Sequence, residues 1–524
     1  MEGTFGLTIT EWGMMAVFII AVIAWGFRMH GGATTMSEAF LAGRKVPGFI
    51  ASLSTVATNL NGNDFLGGVG MAYGFGLVAI HGFFFQGFTL IFVSLVVIHR
   101  LRALNVYSLG GWLEHRYSPV IGNAYSYVWT FIWMLFNLGL YIYAGALVMQ
   151  TLLGWDLYIS IALLSFVAAF YTLLGGLGAV VATDVLQVCL MFFPLTFVAA
   201  ACYFKMDGLT GLAERLPTDS NNMWAWHTPF GILPLMFAGR MCLGTSYWAT
   251  EAQVVQRPLS AKDPDAARVS YMGASLWYII LVPFVIVLPG LTAAVLFPNL
   301  ASNDHAMPML IQEFLPRGLY GVAIVGLTAG FLSSADSQIN AFCTMFTADV
   351  YRRHIARDRD DRHYLFASKV AGVIFTLCAI GTALLVSTNS QGMMVFAVGV
   401  LATIMPPFGA ITVMGALFPR MHSLGALVGL CASGVVAVGL VFASQFGLLA
   451  RVAEVDMEFR ALITFVVACA VIACVSYAFP RPENDTVVEG PHKAIELTPL
   501  SLRYTIAILV VILVGYVFWT ISFS

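Results

Sequence analysis

The stretch AGFLSSADSQINAF, from Ala329 to Phe342, places a carboxylate and three hydroxyl groups in an otherwise apolar segment. Its chemically active residues are Ser333, Ser334, Asp336 and Ser337. A carboxylate inside hydrocarbon is costly, so such a residue usually binds an ion, carries a proton or pairs inside the fold. On a helix, Ser333 and Ser337 share a face with Asp336 beside them, so several of these oxygens can reach one cation.

Sodium is the cation that this chemistry favours. It is a hard ion, and neutral hydroxyls together with freed backbone carbonyls can supply its oxygen ligands without trapping it. The alternative is that these serines only bond back to carbonyls four residues earlier, as serines in membrane helices often do.

The composition indicates which class of protein carries this stretch. Of 524 residues, 59% are hydrophobic and 10% are charged, whereas globular domains average about 25% charged residues. Several segments exceed the roughly 18 apolar residues of a membrane-spanning helix, and none alternates like a barrel strand. The net charge of -2 argues against a nucleic-acid partner. The eight scattered cysteines suggest neither a disulfide framework nor a zinc site.

The chain is therefore predicted to be an all-α polytopic membrane protein with about fourteen transmembrane spans. They start near residues 10, 47, 77, 121, 156, 183, 228, 267, 317, 364, 391, 422, 459 and 502. Most of the 25 basic residues fall in alternate connections, namely 28–45, 99–116, 256–268, 351–363 and 481–503. The positive-inside rule puts these five segments in the cytoplasm and both termini outside it.

Two predicted spans are interrupted by polar residues and glycines. Span 2 contains STVATNLNGNDFLGGVG, and span 7 contains AGRMCLGTSYWATE. Backbone that leaves a helix at membrane depth is tolerated where it lines a cavity, and matching breaks in two halves indicate a transporter's binding site. If spans 2–6 and 7–11 form two five-helix repeats, each break lies in the first helix of a repeat. The odd repeat length then inverts the second repeat.

Three longer motifs resemble signature regions of the sodium:solute symporter family, which includes sodium/glucose, sodium/proline and sodium/sialic acid cotransporters. They are GGLGAVVATDVLQ (175–187), SYWATEAQVVQRPLSAKD (246–263) and GFLSSADSQINAFCTMFTADVYRR (330–353). The resemblance extends from about Gly32 to Phe479. It implies a LeuT-like fold of two inverted repeats, and sodium-coupled import of a small polar solute by alternating access across the cell (inner) membrane.

The resemblance also implies a domain organisation. It consists of an extra span and loop at 1–46, a first inverted repeat at 47–206, a second at 207–418 and three further spans at 419–524. The nearest alternative is the same architecture driven by protons. A membrane enzyme is a distant alternative because no positioned nucleophile or base pair is evident. A transporter-like sensor is equally distant because no signalling domain is evident after the last span.

The main sodium site is implied by the resemblance and joins the break in span 2 to span 9. Carried over position by position, its ligands are the backbone carbonyls of Ala57, Leu60 and Gly330 and the hydroxyls of Ser333 and Ser334. Gly330 stands where relatives often have alanine, which matters little if only its carbonyl binds the ion.

A second cation site is implied around Asp184, which matches a family position that binds a second sodium ion in some members. Its expected companions are Ser333, Asp336 and Ser337. Two carboxylates in one low-dielectric site cannot both ionise cheaply, so either a cation lies between them or one holds a proton. The sequence SSADS departs from the clearest two-sodium members, and Asp336 could instead cap or pair near the cytoplasmic end.

The solute is expected at the midplane between the two broken helices. The candidate lining residues are Asn59, Asn61, Asp64, Phe83, Gln86, Arg240, Ser246 and Tyr247. Sugar-transporting relatives carry a lysine, a glutamine and an acidic residue at positions occupied here by Ile279, Val398 and Phe83. A sugar of the glucose type is therefore not expected to bind in the manner of those relatives.

Two charged residues bear on the chemical class of the solute. Arg240 is too deep to reach the membrane surface easily, and a guanidinium is the natural bidentate partner of a carboxylate. It either anchors an acidic solute or pairs internally with Asp64 or another acidic residue. If both Asp64 and Arg240 face the pocket, a zwitterion or small organic acid fits better than a neutral sugar.

Overall fold

The computed structural model describes residues 9–29, 33–60, 62–224, 227–228, 231–300, 302–387, 393–445, 457–482 and 498–523. The first helices are α1 (Ile9–Met29), α2 (Met36–Leu41), α3 (Gly48–Asn59), α4 (Gly62–Phe75), α5 (Ile80–Val93), α6 (His99–Ala103), α7 (Leu109–Arg116), α8 (Pro119–Val128), α9 (Met134–Leu153), α10 (Leu157–Lys205), α11 (Gly208–Arg215) and α12 (Thr218–Asn221). A short antiparallel ribbon follows, in which β1 (His227–Thr228) pairs with β2 (Gly231–Ile232).

The remaining helices form the second half of the chain. They are α13 (Leu233–Thr250), α14 (Ala252–Ser260), α15 (Pro264–Ile280), α16 (Leu288–Leu296), α17 (Ala306–Phe314), α18 (Arg317–Met345), α19 (Asp361–Ser387), α20 (Met393–Leu417), α21 (Ser423–Gln445), α22 (Met457–Ala478) and α23 (Pro499–Ser522). Short 3-10 helices cover Ala42–Arg44, Gly76–Ala79 and Asn303–His305. π-Helical segments cover Ser94–Ile98, Trp129–Trp133, Pro283–Val287 and Phe346–Ile355.

The helices account for the fourteen predicted spans. Within the described residues, ten helical stretches are long and apolar enough to cross a membrane. One of them, α10, contains a sharp turn at Gly176 and supplies two spans. Predicted span 1 is α1, span 2 is α3 with α4, and span 7 is α13 with α14. The prediction of a helical polytopic membrane protein is therefore confirmed.

Local signals in the sequence start several of these helices. Thr35 and Glu38 form a reciprocal capping box at the start of α2, so two otherwise unpaired backbone N–H groups gain partners. The Asp263 carboxylate accepts a hydrogen bond from the Ala266 N–H at 2.7 Å. Pro264 occupies the first turn of α15, where its missing N–H costs nothing.

Gly176 makes the turn that divides α10. Its φ of 62° and ψ of -167° lie in a region that is essentially restricted to glycine. A Cβ there would also approach the backbone oxygen of Ala39 to 2.8 Å. This glycine therefore lets α2 pack directly against the turn. Gln256 of α14 fixes the same short helix by donating to the Phe40 carbonyl at 2.7 Å.

The five basic segments lie together at one end of the bundle. They are joined by hydrogen bonds or ion pairs between Arg44 and Asn105, Arg102 and Ala261, Met36 and Asp361, Glu114 and Arg353, and Asp265 and Thr498. We call this the basic end. The basic segments that alternate along the sequence are therefore gathered at one end of the bundle.

Two helices break in the interior of the bundle. At the end of α3, Leu60 is extended with ψ 93°, and between α13 and α14 Glu251 is extended with ψ 110°. α18 packs along α10 and near α3, and nearly all of its residues from Tyr320 to Met345 are buried. The two breaks and α18 therefore form the centre of the fold.

Candidate functional site

The first break in the chain lies against the serine-rich part of α18. The Ser334 hydroxyl is within hydrogen-bonding distance of the carbonyl oxygens of Thr58, at 3.1 Å, and Gly330, at 3.4 Å. Ala57 and Leu60 flank this contact and are buried. Because helix α3 stops here, carbonyls at its end lose their helical partners. Four of the five residues predicted for the main sodium site are thus brought together.

The fifth, Ser333, faces a different partner. Its hydroxyl donates to Asp184 Oδ1 at 2.5 Å. Ser54 donates to the other carboxylate oxygen of Asp184 at 2.5 Å. Ser337 lies one turn further along α18, and its hydroxyl is 2.6 Å from the Ser333 carbonyl. The hydroxyls of Ser333 and Ser334 therefore point to two adjacent sites.

Arg257 is a functional candidate that the sequence reasoning missed. Its guanidinium Nη2 lies 3.2 Å from Asp184 Oδ2, and both side chains are fully buried. Its Nε donates to the Ser54 hydroxyl at 3.2 Å and its Nη1 to the Gln253 carbonyl at 3.0 Å. Nη2 also contacts the Ser337 hydroxyl. A residue predicted from sequence only as part of a cytoplasmic basic segment, 256–268, is at the centre of a buried network.

Asp336 belongs to the same network. The Tyr171 hydroxyl donates to its Oδ2, and the Ser337 hydroxyl lies 3.0 Å from its Oδ1. We call the whole set the Asp184 cluster: Ser54, Tyr171, Asp184, Arg257, Ser333, Asp336 and Ser337. The predicted companions of Asp184 are therefore its neighbours in the fold.

The charges of the Asp184 cluster do not cancel when both carboxylates are ionised. Asp184 and Asp336 then carry two negative charges, and Arg257 supplies one positive charge. A buried unpaired charge is strongly unfavourable. A second cation or a proton would balance the cluster, and its hydroxyl groups could orient either one.

Asn59 connects the two breaks in the region expected to hold the solute. Its side-chain oxygen accepts from the Tyr247 hydroxyl, and its amide nitrogen donates to the Tyr278 hydroxyl. Tyr247 lies one turn before the second break. Asn59 therefore links the first break directly to the helix that carries the second.

Asp64 lies in the first turn of α4, on the far side of the first break. It is close enough to interact electrostatically with the hydroxyls of three tyrosines, Tyr141, Tyr247 and Tyr278. These tyrosines come from three different elements, α9, α13 and α15. The arrangement places a carboxylate near phenol hydroxyls, and both kinds of oxygen can accept hydrogen bonds from a cationic group.

Two further candidates on α5 contact the broken helices. Gln86 accepts a hydrogen bond from the Trp248 indole N–H at 2.7 Å. Phe83 packs so closely on α4 that a Cβ at Gly68 would approach its ring to 3.2 Å. These two residues support the helices around the solute region.

Ser246 and Asn61 are the remaining uncharged candidates. The Ser246 hydroxyl donates to the Cys242 carbonyl at 2.7 Å within its own helix. It also abuts α20, where a Cβ at Gly409 would approach the hydroxyl to 2.2 Å. Asn61 lies outside the described residues.

Arg240 forms an ion pair with Glu458 of α22. The distance from its Nη2 to Glu458 Oε1 is 3.0 Å, and both side chains are largely buried. Gly82 of α5 makes room for the guanidinium, because a Cβ there would approach Nη1 to 2.5 Å. Of the two sequence-based alternatives, this geometry favours internal pairing over anchoring an acid.

The chain is similar to known sodium-coupled cotransporters. The family model of the sodium:solute symporter family matches residues 39–433. The sodium/glucose cotransporter of Vibrio parahaemolyticus is 27% identical over 471 residues, which cover 83% of this chain and 86% of that protein. The human sodium/glucose cotransporter 4 is 28% identical over 477 residues, which cover 84% of this chain and 68% of that protein.

Solved structures show the same fold at lower sequence identity. A sodium-coupled sialic acid symporter in a substrate-bound outward-open state matches with a TM-score of 0.79 and 19% identity, covering 90% of this chain and 99% of that one. Mhp1, a nucleobase-cation-symport-1 family transporter, matches with a TM-score of 0.52 and 14% identity, covering 84% and 95%.

Two broken helices around a central site define a LeuT-like secondary transporter, as the sequence predicted. Within that class, the chain belongs to the sodium:solute symporter family. It is a sodium-coupled symporter of small solutes rather than an enzyme, and sodium is the co-transported ion.

Proposed function

We propose that this symporter imports a small solute bearing a protonated amine, and that the amine binds at Asp64. The observation that carries this proposal is the position of the Asp64 carboxylate within electrostatic range of the hydroxyls of Tyr141, Tyr247 and Tyr278. A carboxylate offers an ammonium group a charge-assisted hydrogen bond, and a tyrosine hydroxyl oxygen can accept a further one. A zwitterion meets this requirement.

The contacts of Arg240 weigh against a simple organic acid as solute. Its guanidinium is already within 3.0 Å of the Glu458 carboxylate, so an acid would have to compete with an intramolecular partner. Ile279 and Phe83, at positions where sugar-transporting relatives carry polar residues, weigh against a glucose-type sugar. Both observations therefore favour an amine-bearing solute over a simple acid or a glucose-type sugar.

The main sodium site of the proposal lies at the first break. Its ligands are the carbonyls of Ala57, Leu60 and Gly330 and the hydroxyls of Ser333 and Ser334. The contact between Ser334 and Thr58 supports it, because this contact directs a hydroxyl to the freed end of α3. A rotation of Ser333 about its Cα–Cβ bond would turn its hydroxyl from Asp184 toward the same place.

A second set, Asp184, Asp336 and Ser337, is proposed to hold a second cation or a proton. The excess negative charge of the Asp184 cluster supports this assignment. The main site couples transport to sodium whether the second set holds a cation or a proton. Each inward positive charge contributes about 2.3 kcal/mol per 100 mV of membrane potential.

The proposed topology places the basic end in the cytoplasm and both termini outside it, in the cell (inner) membrane. The grouping of five basic segments at one end of the bundle supports this orientation. The repeats are proposed to span 47–206 and 207–418. Transport would then proceed by rocking of the broken helices against their scaffold around a fixed site.

Solute class is tested by uptake into liposomes containing the purified protein, with an inward gradient of sodium or of choline. The panel contains compounds matched in size that bear an amine and a carboxylate, a carboxylate alone, or only hydroxyls. We expect sodium-dependent uptake only of members bearing an amine. Sodium-dependent uptake of the acids or polyols, with none of the amines, would contradict the proposal.

A further inference from the structure

The carboxyl group of Glu251 lies in the second break, and its side chain is fully buried. Its Oε2 accepts a hydrogen bond from the Trp133 indole N–H at 2.6 Å. Its Oε1 is buried and has no hydrogen-bond partner. In the part of the chain that the structure describes, no lysine, arginine or histidine nitrogen lies within 4.0 Å of it. The transport mechanism described above does not use this group.

The titratable groups that face Glu251 are tyrosines, from its own helix and from the helices packed against it. They are Tyr125 of α8, Tyr141 of α9, Tyr247 of α13 and Tyr271 of α15. Three of their hydroxyls donate elsewhere: Tyr125 to the Thr250 carbonyl, Tyr271 to the Trp248 carbonyl and Tyr247 to Asn59. The guanidinium on the same half-helix, Arg257, is paired with Asp184. No described group therefore supplies Glu251 with a positive charge.

A carboxylate without a counter-charge is strongly unfavourable in a dry site, whereas a protonated carboxyl group is neutral. We propose that Glu251 is a proton-binding site of this symporter. It holds a proton while the second break is closed and releases it to the cytoplasm when α14 moves away and water reaches the carboxyl group. In this structure α2 contacts α14 at the basic end, where the Gln256 amide donates to the Phe40 carbonyl at 2.7 Å.

The proton on Glu251 is connected to the sodium site by a short chain of contacts. The Glu251 N–H donates to the Tyr247 carbonyl at 2.8 Å, and the Tyr247 hydroxyl donates to Asn59. Asn59 immediately precedes Leu60, a ligand of the proposed sodium site on which this inference rests. Sodium and the proton therefore favour the same closed arrangement, and each raises the affinity for the other.

The test is the sodium affinity of the purified full-length protein, measured with radioactive sodium over a series of pH values. The affinity of the wild type is expected to fall as pH rises, by up to about tenfold per pH unit above a midpoint. Glu251→Gln mimics the protonated form, so its sodium affinity is expected to be high and not to fall as pH rises. The matched control Glu313→Gln changes an exposed residue of α17 and should follow the wild type.

A second variant keeps the test informative if Glu251→Gln does not fold. Trp133→Phe removes the one hydrogen-bond donor to the Glu251 carboxyl group among the described residues, so the midpoint should move to higher pH. Sodium binding that is independent of pH in the wild type would overturn the inference alone. Wild-type pH dependence in Glu251→Gln, or an unmoved midpoint in Trp133→Phe, would do the same. Absence of saturable sodium binding at every pH would instead overturn the sodium site, and this inference with it.

Discussion

Replacement of Arg257 by methionine is expected to lower the free energy of unfolding by about 3–5 kcal/mol, because it leaves a buried charge without its partner. The Asp184 carboxylate would lose the guanidinium 3.2 Å away in a fully buried site, and the hydroxyls of Ser54 and Ser337 would lose their contacts with it. Thermal unfolding of the purified protein at fixed sodium concentration measures this loss. Sodium-driven uptake should fall with it.

The double variant Arg257→Met with Asp184→Leu separates charge from packing. Removing both members of a buried pair is far less damaging than removing one, so most of the lost stability should return. Arg357→Met, on the exposed surface of the basic end, provides the matched control and should unfold like the wild type. If the single variant is no less stable than this control, the buried pair does not hold the site together.

Asp64→Asn is expected to weaken binding of an amine-bearing solute by about ten- to hundredfold, since a hydrogen bond to a charged group contributes about 1.5–3 kcal/mol. The substitution keeps the shape of the side chain and removes only the charge. The apparent affinity for the solute during uptake at saturating sodium measures the effect. Sodium binding should change little, because the proposed sodium ligands remain.

Asp358→Asn is the control for that substitution. It makes the same chemical change at an exposed residue of the basic end, and asparagine tolerates the positive φ of 56° found there. Unchanged solute affinity in Asp64→Asn would show that another group recognises the amine. A matched loss of affinity for compounds lacking an amine would point to a packing defect.

The features that were predictable from sequence depend on local patterns. Apolar length gives the spans, basic residues separate the two ends, and polar stretches mark the two broken spans. In span 7 the break is at Glu251, and Gly239 and Gly244 lie within the continuous helix α13. The grouping of Asp184 with the serines of α18 was predictable only from the family resemblance. Local patterns could not show it, because α10 and α18 lie far apart in the chain. Helical spacing alone placed Ser333, Asp336 and Ser337 on neighbouring positions of one helix.

The partners that were missed depend on side-chain direction between distant helices. Arg257 and Asp184 are 73 positions apart, and Arg257 stands in a charged run that resembles any solvated helix end. The depth of Arg240 in its span indicates that it needs an acidic partner, but several acidic residues in the sequence could supply one. Only the packing of α13 against α22 selects Glu458.

The direction of Ser333 depends on packing as well. Neighbouring serines on a helix point about 100° apart, so the hydroxyls of Ser333 and Ser334 can contact different neighbouring elements. In the fold, the Ser333 hydroxyl bonds to Asp184 of α10, and the Ser334 hydroxyl contacts the Thr58 carbonyl at the end of α3. The sequence pattern carries no information about which neighbour lies on which side.

Saturation binding of radioactive sodium to the wild type and to Ser334→Ala tests whether the first break holds the sodium ion, with Ser522→Ala as a control remote from the site. We expect saturable sodium binding to the wild type and to the control, and an affinity about ten- to hundredfold lower in Ser334→Ala, because one ligand of the ion is lost. Equal sodium affinity in all three proteins would contradict a sodium site at the first break.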